Sequence, residues 1–217
     1  MKYDRIPVHL LSVRIISNVS PGLAKKLNLG ERQSSIGIIT TDCDDVTYTA
    51  LDEATKAAEV EVVFASSMYA GAGNASTKLA GEVIGILAGP SPAEVKSGMR
   101  AAMDYVEHGE AFHSANEDDS IIYYAHCVSR TGTYLSKVAG IPEGEALAYL
   151  IAPPLEAMVG LDVALKAAAV ELVQFYAPPT ETNFAGGLLT GSQSACKAAC
   201  DAFAEAVHTV AANAVSL

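Results

Sequence analysis

The chain has 217 residues, 50 % of them hydrophobic and 18 % charged, and it carries a formal net charge of −11. This charge argues against nucleic acid or anionic membranes as partners, because their phosphate groups would be repelled. The sequence contains no apolar run of the roughly 20 residues that a membrane-spanning helix needs, and its N-terminus lacks the apolar core of a signal peptide.

The first half of the chain alternates segments typical of strands and of helices. Strands are predicted at residues 11–17, 35–41, 60–65 and 81–87, and helices at 22–28, 50–58 and 92–107. Residues 42–45 are expected to form a polar turn, and residues 69–78 a glycine-rich loop.

The second half repeats this order after a polar segment, residues 108–120, that has the composition of an exposed loop. Strands are predicted at residues 121–128, 146–152, 170–176 and 185–189, and helices at 131–137, 158–168 and 194–211. Pro153-Pro154 is expected to mark a break before the middle helix. Each half has four strands with helices outside them, which indicates an α/β fold of the α+β sandwich type.

The two halves also share a sequence motif. The segment LDEATKAAEVEVV at residues 51–63 returns as LDVALKAAAVELV at residues 161–173, and the same offset continues without a gap back to Gly22 and Gly132. A later pair, Gly89 and Gly191, has an offset that is eight shorter, and we place this length difference in the loop at 69–78. Two consecutive repeats of this size indicate a duplicated domain and not a solenoid.

Patterns for catalysis or metal binding are weak. A phosphate-binding loop would need Gly directly before Lys78, and Thr77 stands there instead. None of the five histidines lies in a recognisable nucleophile motif, so the chain is not expected to be an enzyme. Cys196 and Cys200 lack the second pair of ligands that a closed zinc site needs. Four cysteines do not indicate a disulfide scaffold, and we expect reduced thiols in a cytosolic protein.

Carboxylates offer a more specific hypothesis. Asp42, Asp44 and Asp45 crowd one turn, and Glu181 lies in a loop at the related place in the second half. These side chains either form a solvated turn or face a small hole and attract cations. Unit charges 4 Å apart interact by about 1 kcal/mol in water and about 4 kcal/mol at an effective dielectric constant of 20. Attraction of this size suits the passage of a cation, because tight binding would block its exit.

The doubled motif resembles the signature of the bacterial microcompartment shell family, in which an Asp four residues before a Lys opens a helix that leads into a Val-Glu-rich strand. The segments GEVIGILAGPSPAEVKSGMRAA, AYLIAPPLEAM and APPTETNFAGGLLTGSQSACKAACDAF extend the resemblance over nearly the whole chain, and they are similar to the ethanolamine-utilisation branch of this family. The resemblance implies two tandem, circularly permuted BMC domains, residues 1–110 and 111–217. Each would hold a four-stranded, mainly antiparallel sheet with flanking helices.

The resemblance further implies an assembly. Three chains of two domains would form a homotrimer that imitates a hexamer and tiles, with other shell proteins, into the shell of a cytoplasmic microcompartment. No cofactor is required, and ethanolamine or cobalamin would be bound ligands. A non-tiling regulator or sensor of these two ligands is the alternative interpretation.

Roles for particular residues also follow from the resemblance. The residues implied at the tile edge are Lys56, Lys166, Asp52 and Asp162. The residues implied around a small ethanolamine pore within each chain are Asp44, Asp45, Glu181 and Thr182. Phe112 and His113, in the glycine-bearing loop 109–116, would gate a central pore on the threefold axis.

Overall fold

The computed structural model describes residues 4–68 and 75–216 of the chain. The strands are β1 Leu10–Ile16, β2 Ser35–Thr41, β3 Glu61–Ser67, β4 Val83–Gly89, β5 His113–Ser114, β6 Ile122–Val128, β7 Ala146–Ala152, β8 Val170–Tyr176 and β9 Ala185–Gly191. The helices are α1 Pro21–Lys26, α2 Asp44–Ala57, α3 Pro92–His108, α4 Thr133–Ala139, α5 Pro154–Ala167 and α6 Gln193–Ala212. Over the described parts of the chain, no helix combines the length and the apolar character needed to cross a membrane.

The chain divides into two compact units. The N-unit consists of Val8–Glu110 together with Gly132–Leu135. The C-unit consists of the remaining described residues, which are 4–7, 111–131 and 136–216. Each unit therefore takes a short segment from the other half of the sequence, which a simple division after residue 110 does not provide.

Each unit is built around an antiparallel sheet. The strand order is β1-β2-β4-β3 in the N-unit and β5-β6-β7-β9-β8 in the C-unit, so the last four strands of the second sheet repeat the first. A bulge occurs at the same place in both, between Val62 and Phe64 and between Leu172 and Gln174. The predicted α/β class and antiparallel pairing are confirmed, but the second sheet has a fifth strand, β5, that the sequence did not indicate.

The repeat is not free of gaps. Helices α2 and α5 begin at Asp44 and Pro154, which keeps the offset of the sequence motif, whereas strands β2 and β7 begin one residue further apart. Two residues, Asp42 and Cys43, join β2 to α2, and the single residue Pro153 joins β7 to α5. The prediction of an ungapped match from residue 22 to residue 63 is therefore wrong at this strand. The loop predicted to hold the later length difference, residues 69–78, lies mostly outside the described residues, as does the rejected phosphate loop.

Proline and serine residues mark where several of the helices begin. Pro154 occupies the first turn of α5, where a missing N–H costs nothing, so the proline pair opens this helix four residues before the predicted start. Ser91 and Ser192 cap α3 and α6 by accepting hydrogen bonds from the backbone N–H groups of Glu94 and Ala195. Helix α2 also begins earlier than predicted, at Asp44, so the expected polar turn at 42–45 is half helix.

The core of each unit lies between the sheet and its helices. Leu51, Leu87 and Met99 are buried in the N-unit, and Leu150 and Phe203 are buried in the C-unit. The central strands β2 and β7 are almost entirely buried on both faces, as their β-branched and apolar sequences predict.

One buried carboxylate joins distant parts of the N-unit. Asp52 has no exposed surface, and its two oxygens accept hydrogen bonds of 2.7 Å and 2.8 Å from the backbone N–H groups of Gly132 and Leu135. Thr55 Oγ1 accepts a third bond, of 3.1 Å, from the N–H of Thr133. A Cβ atom at Gly132 would lie only 2.7 Å from the carbonyl oxygen of Asp52, so glycine is required for this close approach.

The carboxylate of Asp52 therefore holds backbone of its own chain. Its implied role at the tile edge stays a prediction.

We expect Asp52→Ala to lower the free energy of unfolding by about 3 kcal/mol, because two buried N–H groups lose their acceptor. The control is Asp201→Ala, which removes an exposed carboxylate paired with Lys197 on α6 and should cost less than about 1 kcal/mol. Urea denaturation of both variants measures the difference. Equal losses for the two variants would show that the buried carboxylate has no special role.

Candidate functional site

The first turn of α2 places two carboxylates inside the N-unit. Asp44 and Asp45 are 8 % and 7 % exposed, so they do not form the solvated turn that was one interpretation of the sequence. Free backbone N–H groups at a helix start favour negative side chains nearby. Asp44 uses this directly, since its Oδ1 accepts a 2.9 Å bond from the N–H of Asp45.

A chain of hydroxyl groups fixes the other oxygen of Asp44. Ser67 Oγ donates a 2.7 Å hydrogen bond to Asp44 Oδ2, and the hydroxyl of Tyr48 lies 2.6 Å from Ser67 Oγ. Because the serine proton points at the carboxylate, the tyrosine must donate to the serine. Burial, ahead of the nearby negative charge, raises the pKa of Tyr48 to about 12, so this donor keeps its proton.

Glu82 adds a further carboxylate to this group. Its backbone is held between β2 and β3, with its N–H donating to the carbonyl of Thr41 at 2.8 Å and its carbonyl accepting from the N–H of Met68 at 2.6 Å. Burial, followed by the charges of Asp44 and Asp42, raises the pKa of Glu82 to about 7. Burial also raises the pKa of Asp44 above its usual range, against the opposing hydrogen bond from Ser67.

We call Asp42, Asp44, Asp45 and Glu82 the acidic cluster. Three of these carboxylates lie close enough to Cys43 to affect its thiol. The pKa of Cys43 is raised well above the usual value, first by burial and then by the charges of Asp45, Asp44 and Glu82. The raised pKa values of Asp44 and Glu82 mean that burial, together with neighbouring negative charge at Glu82, disfavours the ionised form of these two carboxylates. The cluster therefore favours taking up a proton or a cation.

His9 contacts one side of the cluster. Its Nδ1 lies 2.6 Å from Asp42 Oδ2, and its backbone N–H donates to Asp42 Oδ1 at 2.7 Å. The imidazole is 67 % exposed, so this pair sits at the surface. Asp42 is thereby tied to the chain before β1, while Asp44, Asp45 and Glu82 lie deeper.

Glu181 and Thr182 lie in the C-unit, in the connection between β8 and β9. The backbone of this connection is closed by hydrogen bonds between Thr180 and Phe184 and between Asn183 and Thr180. Glu181 is exposed and Thr182 is half-buried, with its hydroxyl 3.4 Å from that of Thr180. Their expected position opposite Asp44 and Asp45 around one pore stays a prediction.

Phe112 is buried, and the expectation of an exposed loop at 108–120 is wrong for residues 111–115. The ring of Phe112 is 5 % exposed and packs between Tyr124 and Phe184, with ring centroids 5.4 Å and 5.5 Å away. His113 belongs to strand β5 and pairs with Tyr123 of β6. This segment is held by the C-unit core, and its local composition gave no sign of that.

The N-terminal residues form backbone hydrogen bonds with residues 112–114. The N–H of Ile6 donates to the carbonyl of Phe112 at 2.8 Å, and the N–H of Ser114 donates to the carbonyl of Asp4 at 2.9 Å. On the inner side, the buried imidazole of His208 lies 3.3 Å from the carbonyl of Ala115. A gating movement of Phe112 would have to break several of these contacts.

The two edge lysines have different surroundings. The side chain of Lys56 is only 15 % exposed and lies 3.6 Å from the carboxylate of Asp52 while also pairing with Glu53. It borders a cavity of about 400 Å³ next to the end of α3. Lys166 is 74 % exposed and bonds to the exposed Asp162 at 2.6 Å. Of the two lysines, Lys166 is therefore the one that is presented at the surface.

Sequence reasoning missed Tyr48, Ser67, Glu82 and His9. A signal existed for Tyr48, which lies four residues after Asp44 and so on the same face of the helix. Glu82 directly precedes Val83, which pairs with Thr41 at the end of β2. Antiparallel pairing of these strands would therefore have brought Glu82 beside the acidic turn. Within the described residues, no group of three His, Cys, Asp or Glu side chains could hold a metal ion.

Known proteins share both the sequence and the fold. The profile of the BMC domain matches residues 35–117. The chain is 76 % identical to the bacterial microcompartment shell protein EutL of Clostridium perfringens, over 98 % of each chain, and 50 % identical to EutL of Escherichia coli, over 97 % and 96 %. The crystal structure of the ethanolamine utilization protein EutL of Leptotrichia buccalis is 70 % identical, covers 100 % of both chains and superposes with a TM-score of 0.98.

The raised pKa of Glu82 predicts a pH dependence. The folded state holds the proton more tightly than the unfolded state, so this group makes the protein less stable as the pH rises from about 4.5 to about 7. We expect Glu82→Gln to gain stability relative to the native chain across this window. The control is Glu117→Gln, at an exposed position. Urea denaturation at pH 4.5 and pH 8 measures the effect, and parallel stability curves for Glu82→Gln and the native chain would contradict it.

Proposed function

Because this chain belongs to the EutL family of bacterial microcompartment shell proteins, we propose that its acidic cluster binds ethanolamine and passes it through a trimeric tile of the shell. The relatives are shell proteins of bacterial microcompartments, so the chain is a structural protein of such a shell in the cytoplasm and not an enzyme. The proposal therefore concerns how the tile selects a ligand and how it assembles.

The acidic cluster, in which Asp44 and Asp45 are buried, is the observation that carries this proposal. Asp44 is fixed by Ser67 and Asp45, and the pKa of Glu82 is raised to about 7, so the cluster gains from a nearby positive charge. An ammonium group about 4 Å from one carboxylate gains about 4 kcal/mol at an effective dielectric constant of 20. Attraction of this order allows both entry and release.

Ethanolamine fits this chemistry because it carries one ammonium and one hydroxyl group. The carboxylates of Asp44 and Asp45 would face the ammonium group, and Glu82 would strengthen the site in its ionised form. Glu181 and Thr182 would form the opposite wall, where the threonine hydroxyl pairs with that of the ligand. The name of the Leptotrichia buccalis relative, an ethanolamine utilization protein, supports this choice of ligand.

We further propose that the duplicated units determine how the chains assemble. Two similar units per chain allow three chains to form a ring of six units, which can tile with other shell proteins. Lys166 and Asp162 are exposed and suited to contacts between tiles, whereas Lys56 would act from a nearly covered position. Phe112 and His113 would line a central pore that opens when the ring of Phe112 leaves its aromatic contacts. Such a pore could admit a larger ligand such as cobalamin.

We expect Asp45→Asn to weaken ethanolamine binding about tenfold, since loss of one favourable charge interaction worth about 1.4 kcal/mol changes a dissociation constant by that factor. Calorimetric titration with ethanolamine at pH 8 measures it. The matched control, Asp201→Asn, removes an exposed carboxylate elsewhere and should leave the affinity unchanged. An unchanged affinity in Asp45→Asn would remove this residue from the site.

We expect Lys166→Ala to abolish extended sheets while the trimer remains intact, because the exposed lysine is lost from the tile edge. Electron microscopy of concentrated protein detects the sheets, and sedimentation measures the trimer. Lys96→Ala, at an exposed position on α3, serves as the control. Normal sheets from Lys166→Ala would remove this residue from the tile edge, whereas a native chain that forms no sheets would favour the alternative of a non-tiling regulator.

A further inference from the structure

The hydroxyl groups of Tyr48 and Ser67 stand in series behind the carboxylate of Asp44, and we call them the hydroxyl pair. The hydroxyl of Tyr48 lies 2.6 Å from Ser67 Oγ, which donates at 2.7 Å to Asp44 Oδ2. Each hydroxyl has a single proton to donate. The tyrosine proton is therefore directed at the serine, and the serine proton is directed at the carboxylate.

The hydroxyl pair also holds three elements of the N-unit together. Tyr48 lies one turn after Asp44 on α2, and Ser67 is the last residue of β3. Ser67 pairs with Val83 at the start of β4, and Glu82 directly precedes that strand. The start of α2, the end of β3 and the start of β4 therefore meet where the acidic cluster lies.

The repeat shows that the shared fold does not require this arrangement. The offset of the sequence motif places three apolar residues where the C-unit would carry Asp44 and the hydroxyl pair: Pro154, Met158 and Ala177. Their side chains have no hydroxyl or carboxylate group. The C-unit nevertheless repeats the strand order of the N-unit, and α5 has 14 residues, as α2 does. Asp44 and the hydroxyl pair thus occur as a set in one repeat and are replaced as a set in the other.

We infer that Tyr48 is a positioning residue of the proposed ethanolamine site, and that it acts through Ser67 by holding Asp44 as a fixed, ionised acceptor. This inference rests on the proposed function and names residues that control the same site. Both hydroxyl protons point at the carboxylate, and the N–H of Asp45 binds its other oxygen. A carboxylate has about four acceptor positions, so capacity remains for the N–H groups of an ammonium ligand.

The charges around Asp44 make this support necessary. The other members of the acidic cluster lie around it, together with the thiol of Cys43, while His9 pairs with Asp42 at the surface. No ion pair among the described residues joins a lysine or an arginine to Asp44 or Glu82. Hydrogen bonds are therefore what favours the ionised form of Asp44.

The hydrogen bond from Ser67 has a direct effect on the protonation of Asp44. Burial raises the pKa of Asp44, and the bond from Ser67 is the largest influence that lowers it again. A chain without the hydroxyl pair would keep Asp44 protonated to a higher pH. Because a protonated carboxyl group does not attract an ammonium group, such a chain would lose affinity for the ligand first at low pH.

Tyr48→Phe tests the inference, because it removes the hydroxyl group and keeps the ring that contacts Tyr134. We expect the ethanolamine affinity in calorimetric titration to fall about tenfold at pH 6, as when a carboxylate loses one charge-assisted hydrogen bond. At pH 8, where ionisation of Asp44 is favoured in both proteins, the loss should be below about threefold. Glu82 titrates in both proteins, so their difference isolates Asp44.

The serine supplies a second variant and a control. Ser67→Ala should show the same pH-dependent loss, and adding Tyr48→Phe to it should weaken binding no further, since the tyrosine acts through the serine. Ser66→Ala is the matched control, because it removes a neighbouring hydroxyl that bonds only the backbone carbonyl of Ser67, at 3.2 Å. Its affinity should equal that of the native chain at both pH values. Urea denaturation checks that each variant is folded, and Ser67→Ala carries the same test if Tyr48→Phe unfolds.

The outcomes separate this role from the proposed function. Native affinity in Tyr48→Phe at pH 6, equal losses at pH 6 and pH 8, or additive losses in the double variant would each overturn the positioning role. All three would leave ethanolamine binding by the native chain standing. A native chain that does not bind ethanolamine at pH 8 would overturn both.

Discussion

The bond between the buried carboxylate of Asp52 and the backbone of Gly132 and Leu135 is the interaction on which the rest of the structure depends. It joins residues 80 and 83 positions apart in the sequence. Burying a carboxylate is costly, and here two N–H groups and the ammonium group of Lys56, 3.6 Å away, offset that cost. Helix α2 is thereby fixed in place. Its first turn holds Asp44 and Asp45, so the helix that carries Asp52 also carries two members of the acidic cluster.

The chain contains two copies of one fold, and the two copies differ in a connection and in the polarity of one helix face. The connection from β2 to α2 is one residue longer than its counterpart and carries the acidic residue Asp42, whereas the shorter connection is a proline. Helix α2 is polar and covered on the face where α5 is apolar and exposed. One repeat therefore carries the acidic cluster and a closed internal contact, and the other carries an exposed apolar helix face.

Much of this architecture could be predicted from local sequence. Strands β2, β7 and β8 have the predicted bounds, because runs of β-branched and apolar residues between polar breaks define them strongly. The family follows from the doubled Asp-Lys motif. Long-range contacts could not be predicted in this way: Asp52 resembles a helix-surface residue until Gly132–Leu135 covers it. The sequence of residues 111–115 is typical of a loop. These residues are buried through contacts with Tyr124, Phe184 and the N-terminal residues, which are distant in the sequence. Glu82 joins the site only through strand pairing, which local periodicity does not specify.

The central claim is that a duplicated module forms a ring whose acidic cluster holds an ammonium ligand. A structure of the assembled particle, determined in the presence of ethanolamine, tests this most directly. We predict three copies around one axis and ligand density beside Asp45 and Glu82. A particle without a threefold axis, or ethanolamine bound away from the acidic cluster, would contradict the account.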